Sequence, residues 1–563
     1  MTTPVQLPVR ALSGVTLECG VAAAMRDGVR LVADIYRPAA SPGPWPVLLM
    51  RQPYGRDIAS TVVYAHPTWF ARRGFMVVIQ DVRGRGDSEG EFHAFRHEID
   101  DGHDTVMWAA ALPGSNGRVG MYGFSYQGST QLLAALGRPP PLKALAPHMT
   151  AFDLYSGWFY RDGILQLSTT TGWASQMLRE DSRRLPSRAA ETALDANWLN
   201  SGALSHAMPL RHAAPLVHPD LPRYAADWLG HTTYDDHWRE LDLLRRIDAL
   251  GLPMFHLSGW YDFYLRGSVD GYVAMAARHP HQFLLAAPWG HIPWGPQLGG
   301  ADWGPAARPD VDGQLAAWFH HWLDHETPTG PAPLRGCKYF VLGENAWRDA
   351  SAWPPPEAKE HTWFLAGDGR ANSRFGDGRL STAGPGGDDD LFSYDPEVPV
   401  VAPGGNHGGH AAFGPHDLSA QQQGLNLLVY TSPPLAAPLV VAGRPGCVLH
   451  VRSSAPLTDF VVRLSRVTAE GRAIFLSLGA ARAQARDGAE ITVALDPVAV
   501  RFASGECLRI DVASSAFPLL VRNPNTGADP ADVARPAEFR RALQVVHHDD
   551  AHPSRLLLPV LPV

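Results

Sequence analysis

The chain has 563 residues, 45% of them hydrophobic and 18% charged, with a formal net charge of −8. That length exceeds one ordinary core and predicts about two to four domains. The acidic balance argues against a nucleic-acid partner, and the absence of a long apolar run argues against a membrane span.

The N-terminal stretch "MTTPVQLPVRALSG" has neither the basic nor the apolar region of a secretory signal. Four cysteines (Cys19, Cys337, Cys447, Cys507) lie far apart with no C-x-x-C pair. They read as free thiols of a cytoplasmic protein, with no disulfide framework and no zinc site.

In chain order, "WPVLLMRQPYG", "GFMVVIQDVRG" and "GRVGMYGFS" are apolar strand-like runs ending in Gly-rich or polar turns, and "TQLLAALG" follows with helical spacing. This alternation predicts a parallel sheet wrapped by helices. From about 147 to 244 the texture changes to Trp, Leu, Arg and Ala at helical spacing without convincing strands, which predicts a helical insertion. Strands resume at "LPMFHLSGWYD" and "HQFLLAAPWGH", with the helix-like "LRGSVDGYVAMAARHP" between them and "DGQLAAWFHHWLDH" after them. The Pro-rich "SAWPPPEAKE" marks the next boundary. Beyond it, short alternating runs such as "LNLLVYTSPPL", "CVLHVRSS", "DFVVRLSRV", "EITVAL" and "CLRIDVASS" predict an all-β sandwich or jelly roll. The Gly-rich "AGPGGDDD" and "APGGNHGGHAAFG" read as surface loops.

Two serines sit between glycines. Ser125 lies in "GMYGFSYQGSTQ", with Gly123 before it and Gly128 after it; Ser88 lies in "GDSEG". Attack on a carbonyl needs a serine on a tight strand-to-helix turn, whose first helical N–H groups favour developing negative charge. Ser125 has the strand, the turn and the helix. Ser88 has the glycines only, no helix directly after it, and Asp87 and Glu89 at its sides. Ser125 is therefore the candidate nucleophile.

A serine needs a base, and the base needs an orienting carboxylate. Asp262 follows one apolar strand and His291 follows the next, in the chain order serine, acid, histidine. The separation of 29 positions leaves room for one crossover helix.

Taken together, "RQPYGR", "QDVRGRGDSEGEF", "GMYGFSYQG", "GWYDFY", "PWGH", "LVYTSPPL", "TDFVVRL", "RNPNTG" and "HPSRLLLPV" make the chain resemble the CocE/NonD family of α/β-hydrolases. These are the cocaine-esterase-like enzymes, related to X-prolyl dipeptidyl peptidases and α-amino-acid ester hydrolases. The resemblance implies an α/β-hydrolase domain (1–146 and 245–350), an inserted helical cap (147–244) and a C-terminal jelly roll (351–563). It implies that Ser125, Asp262 and His291 form a catalytic triad, with the Tyr126 backbone N–H and the Tyr54 hydroxyl as oxyanion donors.

Six aromatic residues fall within the 22 from Phe152 to Trp173. Such clusters are more often helix packing than ligand contacts, but by resemblance Trp158 and Trp173 line an acyl pocket from the cap, with Phe263 and Tyr264 facing the same space. Where amino-ester hydrolases carry acidic residues after the catalytic aspartate, this chain has Tyr264 and Leu265, so a free α-amino group lacks a counter-charge from this segment.

The expectation is a serine carboxylesterase acting on a small-molecule ester or amide through an acyl-enzyme, with no cofactor and no metal. The histidine-rich "NHGGHAAFGPH" and "HHDDAH" invite zinc, but the first is a glycine loop and the second belongs to the family's C-terminal segment. Rival readings are an amidase or peptidase, an acyltransferase, and a binding protein with an inactive core. Natural substrate and oligomeric state, a homodimer included, stay open.

Overall fold

The run VLLM at 47–50 shows how the first half is built. Val47 and Leu49 join one hydrophobic core while Leu48 and Met50 join another on the opposite face. A strand buried on both faces needs apolar residues at every position rather than at alternate ones. The computed structural model describes residues 9–199, 202–214, 216–326, 334–402, 414–486 and 488–562.

The first sheet contains β1 (Val9–Leu12), β2 (Val15–Ala24), β3 (Arg30–Pro38), β4 (Trp45–Gln52), β5 (Met76–Asp81), β6 (Ser115–Phe124), β7 (Leu142–His148), β8 (Met254–Gly259), β9 (Gln282–Ala287), β10 (Gly336–Val341) and β11 (Ala346–Ala350). Their order is β1-β2-β3-β5-β4-β6-β7-β8-β9-β10-β11. From β5 to β10 neighbouring strands run parallel, whereas β1–β3 and β11 pair antiparallel at the two edges. The sheet is thus mixed, not purely parallel. The antiparallel strands β1–β3 and the central strand β7 were not read from the sequence.

Helices α1 (Glu98–Ala110) and α2 (Tyr126–Leu136) cover one face of this sheet, and α5 (Val311–Leu323) covers the other. Two further helices matter for the site: α3 (Leu167–Ser182) within 147–244, and α4 (Leu265–Ala276) between β8 and β9. The 147–244 region is mainly helical, but it contains a hairpin of Tyr160–Arg161 with Ile164–Leu165 that the sequence reading lacked. Its aromatic residues Trp158, Phe159, Trp228 and Trp238 share one core with β4 and β6.

The C-terminal part, from Lys359–Asp368 to Arg555–Leu561, is a separate and mostly antiparallel system of fourteen strands among the described residues. Part of "AGPGGDDD" is not loop: Gly386–Asp388 pairs parallel with Lys359–Asp368, and Asp390–Tyr394 pairs with Ala542–His547. Backbone donors exposed at those loop positions find acceptors on a neighbouring strand, an arrangement that local composition does not reveal.

The C-terminal part also fixes the start of α3. Leu167 N–H donates to Leu519 O at 2.8 Å, and Val521 N–H donates to Leu165 O at 3.0 Å. Arg161 and Asp496, both almost fully buried, pair at 2.6 Å across the same junction. Among the described residues, no helix is long and apolar enough to cross a membrane.

Candidate active site

Ser125 stands between the end of β6 and the start of α2, with φ 62° and ψ −128°. A non-glycine residue at such angles is strained, and here the neighbours hold it in place. Its N–H donates to His148 O at 3.0 Å, and the carbonyl of Ser125 accepts from Gly128 N–H at 2.9 Å. The flanking glycines are sterically required: a Cβ on Gly123 would lie 2.5 Å from Gln127 Cβ, and one on Gly128 would lie 2.7 Å from Thr150 Cβ. The side chain of Gln127 fills the space at the turn, accepting from Phe124 N–H at 3.2 Å. Ser88, by contrast, is a structural serine. It is buried, donates to Asp81 O at 2.7 Å and accepts from Val32 N–H at 2.8 Å.

Asp262 lies three residues beyond β8 and is fully buried. Its Oδ2 is 2.8 Å from His291 Nδ1, and its Oδ1 accepts from Tyr264 N–H at 2.5 Å. A carboxylate only accepts, so Nδ1 carries the proton and Nε2 is the remaining lone-pair nitrogen. The imidazole lies between Phe263 at 4.3 Å and Phe124 at 5.2 Å between ring centroids. Trp294 Nε1–H caps the His291 carbonyl at 3.0 Å. The ring can neither flip nor drift without breaking these contacts.

Tyr54 leaves the end of β4. Trp173 Nε1–H donates to its hydroxyl oxygen at 3.3 Å, and Tyr54 borders the same cavity as Ser125. Burial pushes the Tyr54 phenol above its ordinary value, which keeps its proton in place as a donor. Tyr126 opens α2, where first-turn N–H groups lack intrahelical acceptors. Its own hydroxyl is occupied elsewhere, donating to Glu98 Oε1 at 2.8 Å and accepting from Phe95 N–H at 3.0 Å. Glu98 is in turn held by buried Arg51 at 2.5 Å. That chain anchors the first residue of α2 behind Ser125.

Ser125, His291, Tyr54, Trp173, Phe263 and Tyr264 border one cavity of about 480 Å³. Trp158 does not. It is buried one layer back, with its ring 4.0 Å from Tyr264 and 5.4 Å from Trp173, so its expected place in the pocket wall is corrected to a supporting one. A count of aromatics cannot tell which ring of a stack faces the void. The sequence reading also missed Thr169, Gly172 and Gln176, which with Trp173 recur at helical spacing along the cavity face of α3. The exposed Ile58, Val62 and Ile292 form an apolar rim. Among the lining residues there is no Asp, Glu, Lys or Arg.

The histidine-rich segments fall elsewhere. His407 and His410 lie outside the described residues. His547, His548 and His552 each pair with a carboxylate, of Asp389, Asp390 and Asp549 respectively, at 2.9–3.1 Å. Among the described residues, no group of three or more His, Cys, Asp or Glu is arranged to hold a metal ion.

The fold is that of a hydrolase. Residues 27–293 match the X-Pro dipeptidyl-peptidase (S15) family, and 332–557 match the C-terminal non-catalytic domain of X-Pro dipeptidyl-peptidases. The cocaine esterase of Rhodococcus sp. (strain MB1 Bresler) is 34% identical, over 95% of this chain and 97% of its own length. An aminopeptidase from a marine sediment Thaumarchaeota archaeon superposes with a TM-score of 0.81 at 22% identity, covering 100% of this chain and 99% of its own. An α-amino acid ester hydrolase superposes at 0.78 with 23% identity, covering 99% and 100%. The chain belongs to the S15 family of serine hydrolases, on the CocE/NonD side that contains cocaine esterase.

Proposed function

We propose that the protein is a serine carboxylesterase whose α/β-hydrolase core (1–146 and 245–350) carries an inserted cap (147–244) and a C-terminal jelly roll (351–563). The observation that carries this reading is the Asp262–His291 contact of 2.8 Å behind a cavity that Ser125 and Tyr54 also border.

Ser125 Oγ attacks the ester carbonyl while His291 Nε2 takes its proton. Asp262 holds the imidazole and stabilises the imidazolium as it forms. The oxyanion is met by the Tyr126 N–H and the Tyr54 O–H. The Trp173 N–H engages the Tyr54 oxygen, which leaves the phenolic proton free to point at the developing charge. His291 then gives its proton to the departing alkoxide, and water resolves the acyl-enzyme by the same steps.

The acyl group lies against Trp173, Phe263 and Tyr264. Without a lining carboxylate, an α-ammonium would lose its water with no counter-charge. An uncharged aryl ester should exceed the matching α-amino ester by at least about tenfold in kcat/KM, the scale of one missing charge-assisted contact. Equal values would contradict the uncharged pocket.

Membership of a family that contains peptidases favours a second reading, amide cleavage by the same groups, as in an X-prolyl dipeptidyl peptidase or β-lactam acylase; acyl transfer would use them too. Turnover of p-nitrophenyl benzoate set beside alanyl-prolyl p-nitroanilide, with Ser125→Ala as control, separates the main readings. The esterase reading predicts ester turnover lost in the variant and no anilide cleavage. Strong anilide cleavage would overturn it in favour of a peptidase.

A further inference from the structure

We propose that Arg56 is a positioning residue that clamps the Tyr54 turn and so aims the Tyr54 hydroxyl at the oxyanion. The inference rests on reading Tyr54 as an oxyanion donor.

Arg56 lies two residues after Tyr54 and is held from three carboxylates. Its backbone N–H donates to Asp81 Oδ1 at 2.7 Å, its Nη1 to Asp81 Oδ2 at 2.7 Å and its Nε to Asp34 Oδ1 at 2.9 Å. Its Nη2 meets Asp87 Oδ2 at 2.7 Å. Asp81 is the fully buried last residue of β5, and Asp34 on β3 is itself fixed by the Gly20 N–H at 2.9 Å. The guanidinium thus ties the turn leaving β4 to two strands of the rigid sheet.

The loop after β5 is built around this carboxylate. Gly86 has φ +50°, and a Cβ there would lie 2.0 Å from Asp81 Oδ2, so only glycine lets the loop close over it. The segment "QDVRGRGDSEG" thus closes around Asp81 rather than presenting a nucleophile. Ser88 pins the Asp81 carbonyl, and Asp87 supplies the exposed arm of the clamp. On the other side of the turn, Gln52 Nε2 donates to Gly55 O at 2.9 Å, and Gln127 of α2 donates to Gln52 Oε1 at 3.0 Å.

Tyr54 therefore stands between one tie to the sheet and another to the helix that follows Ser125. A small tilt of the turn is magnified at the far end of the ring, where a misplacement of about 1 Å can cost a hundredfold in rate. Burial pushes the Asp81 carboxyl above its usual range and Arg56 opposes that shift; the tie is directional because Arg56 donates to both oxygens of the one carboxylate at 2.7 Å.

The test is a double-mutant cycle on the full chain, with p-nitrophenyl benzoate turnover and thermal melts. Arg56→Gln should lower kcat by about tenfold or more with KM within about threefold, and by less than about twofold in a Tyr54→Phe background. Arg56→Lys, which keeps the charge without the fork, should recover part of the loss. An equal fold-loss in both backgrounds, or none in either, would overturn the clamp. Should Arg56→Gln fail to fold, Asp87→Asn removes only the exposed arm; its smaller loss must also vanish with Tyr54→Phe, and persistence would overturn the proposal. Wild-type kcat in Tyr54→Phe would overturn the oxyanion reading and the clamp with it. Loss of all ester turnover in the wild type would instead sink the esterase reading itself.

Discussion

At the scale of single residues, the decisive feature is how few degrees of freedom remain around Ser125. Its backbone is strained, its N–H is taken, and the imidazole that would serve it is wedged between two phenyl rings. Under such preorganisation, a donor aimed at developing charge acts without reorganising. Removing one typically costs roughly a hundred- to a thousandfold. Tyr54→Phe should fall in that range in kcat with little change in KM, measured on p-nitrophenyl benzoate. A change confined to KM would mean that the hydroxyl only binds substrate. The replacement also leaves Trp173 Nε1–H with a weaker partner, so Trp173→Phe is the control that separates loss of the donor from loss of its orientation.

At the scale of elements, β7 sets a pH limit on stability. His148 at its end is fully buried, bonded to Tyr64 at 2.8 Å, with its pKa lowered to about 3 chiefly by burial. His256 on β8 is buried likewise and lowered to about 4. Both are neutral in the fold and take protons in the unfolded chain near the ordinary value of 6.5. Their contribution to stability is therefore complete above pH 6.5 and is lost progressively as pH falls toward 4 and then 3. Thermal midpoints should drop between about pH 7 and pH 5, above most carboxylate titration, and His148→Gln should flatten that decline. An unchanged slope would remove His148 from the account.

The 147–244 region is tied to the C-terminal strands by a second buried device, the Arg161–Asp496 pair. Asp496→Ala leaves a cation buried without its partner, a change that typically costs about 3–5 kcal/mol. A melt should show that loss, with ester KM rising as α3 loosens from the C-terminal strands. A melt within a degree of wild type would contradict it.

At the scale of the whole molecule, the cavity is bounded by parts that lie far apart in sequence. The central strands were legible because strands buried on both faces are written as unbroken apolar runs that end in Gly or Pro turns. For the same reason Ser125, Asp262 and His291 could be picked out in order at strand ends. The edge strands β1–β3 were not legible, because half-buried antiparallel strands such as VTLECGVAAA carry a weaker alternation. Nor was β7, whose LKALAPH includes a proline. Trp158 was misplaced because stacking depth is a three-dimensional property. Arg56 was quoted within a motif but given no role, since its carboxylates come from β3, β5 and the following loop.

The central claim is that Ser125 is the nucleophile of this assembled site. The most direct test is to treat the intact protein with a fluorophosphonate and locate the adduct by peptide mass spectrometry. The account predicts one adduct, on Ser125, lost in Ser125→Ala and slowed in His291→Ala. An adduct on Ser88 or another residue, or undiminished ester turnover in Ser125→Ala, would contradict it.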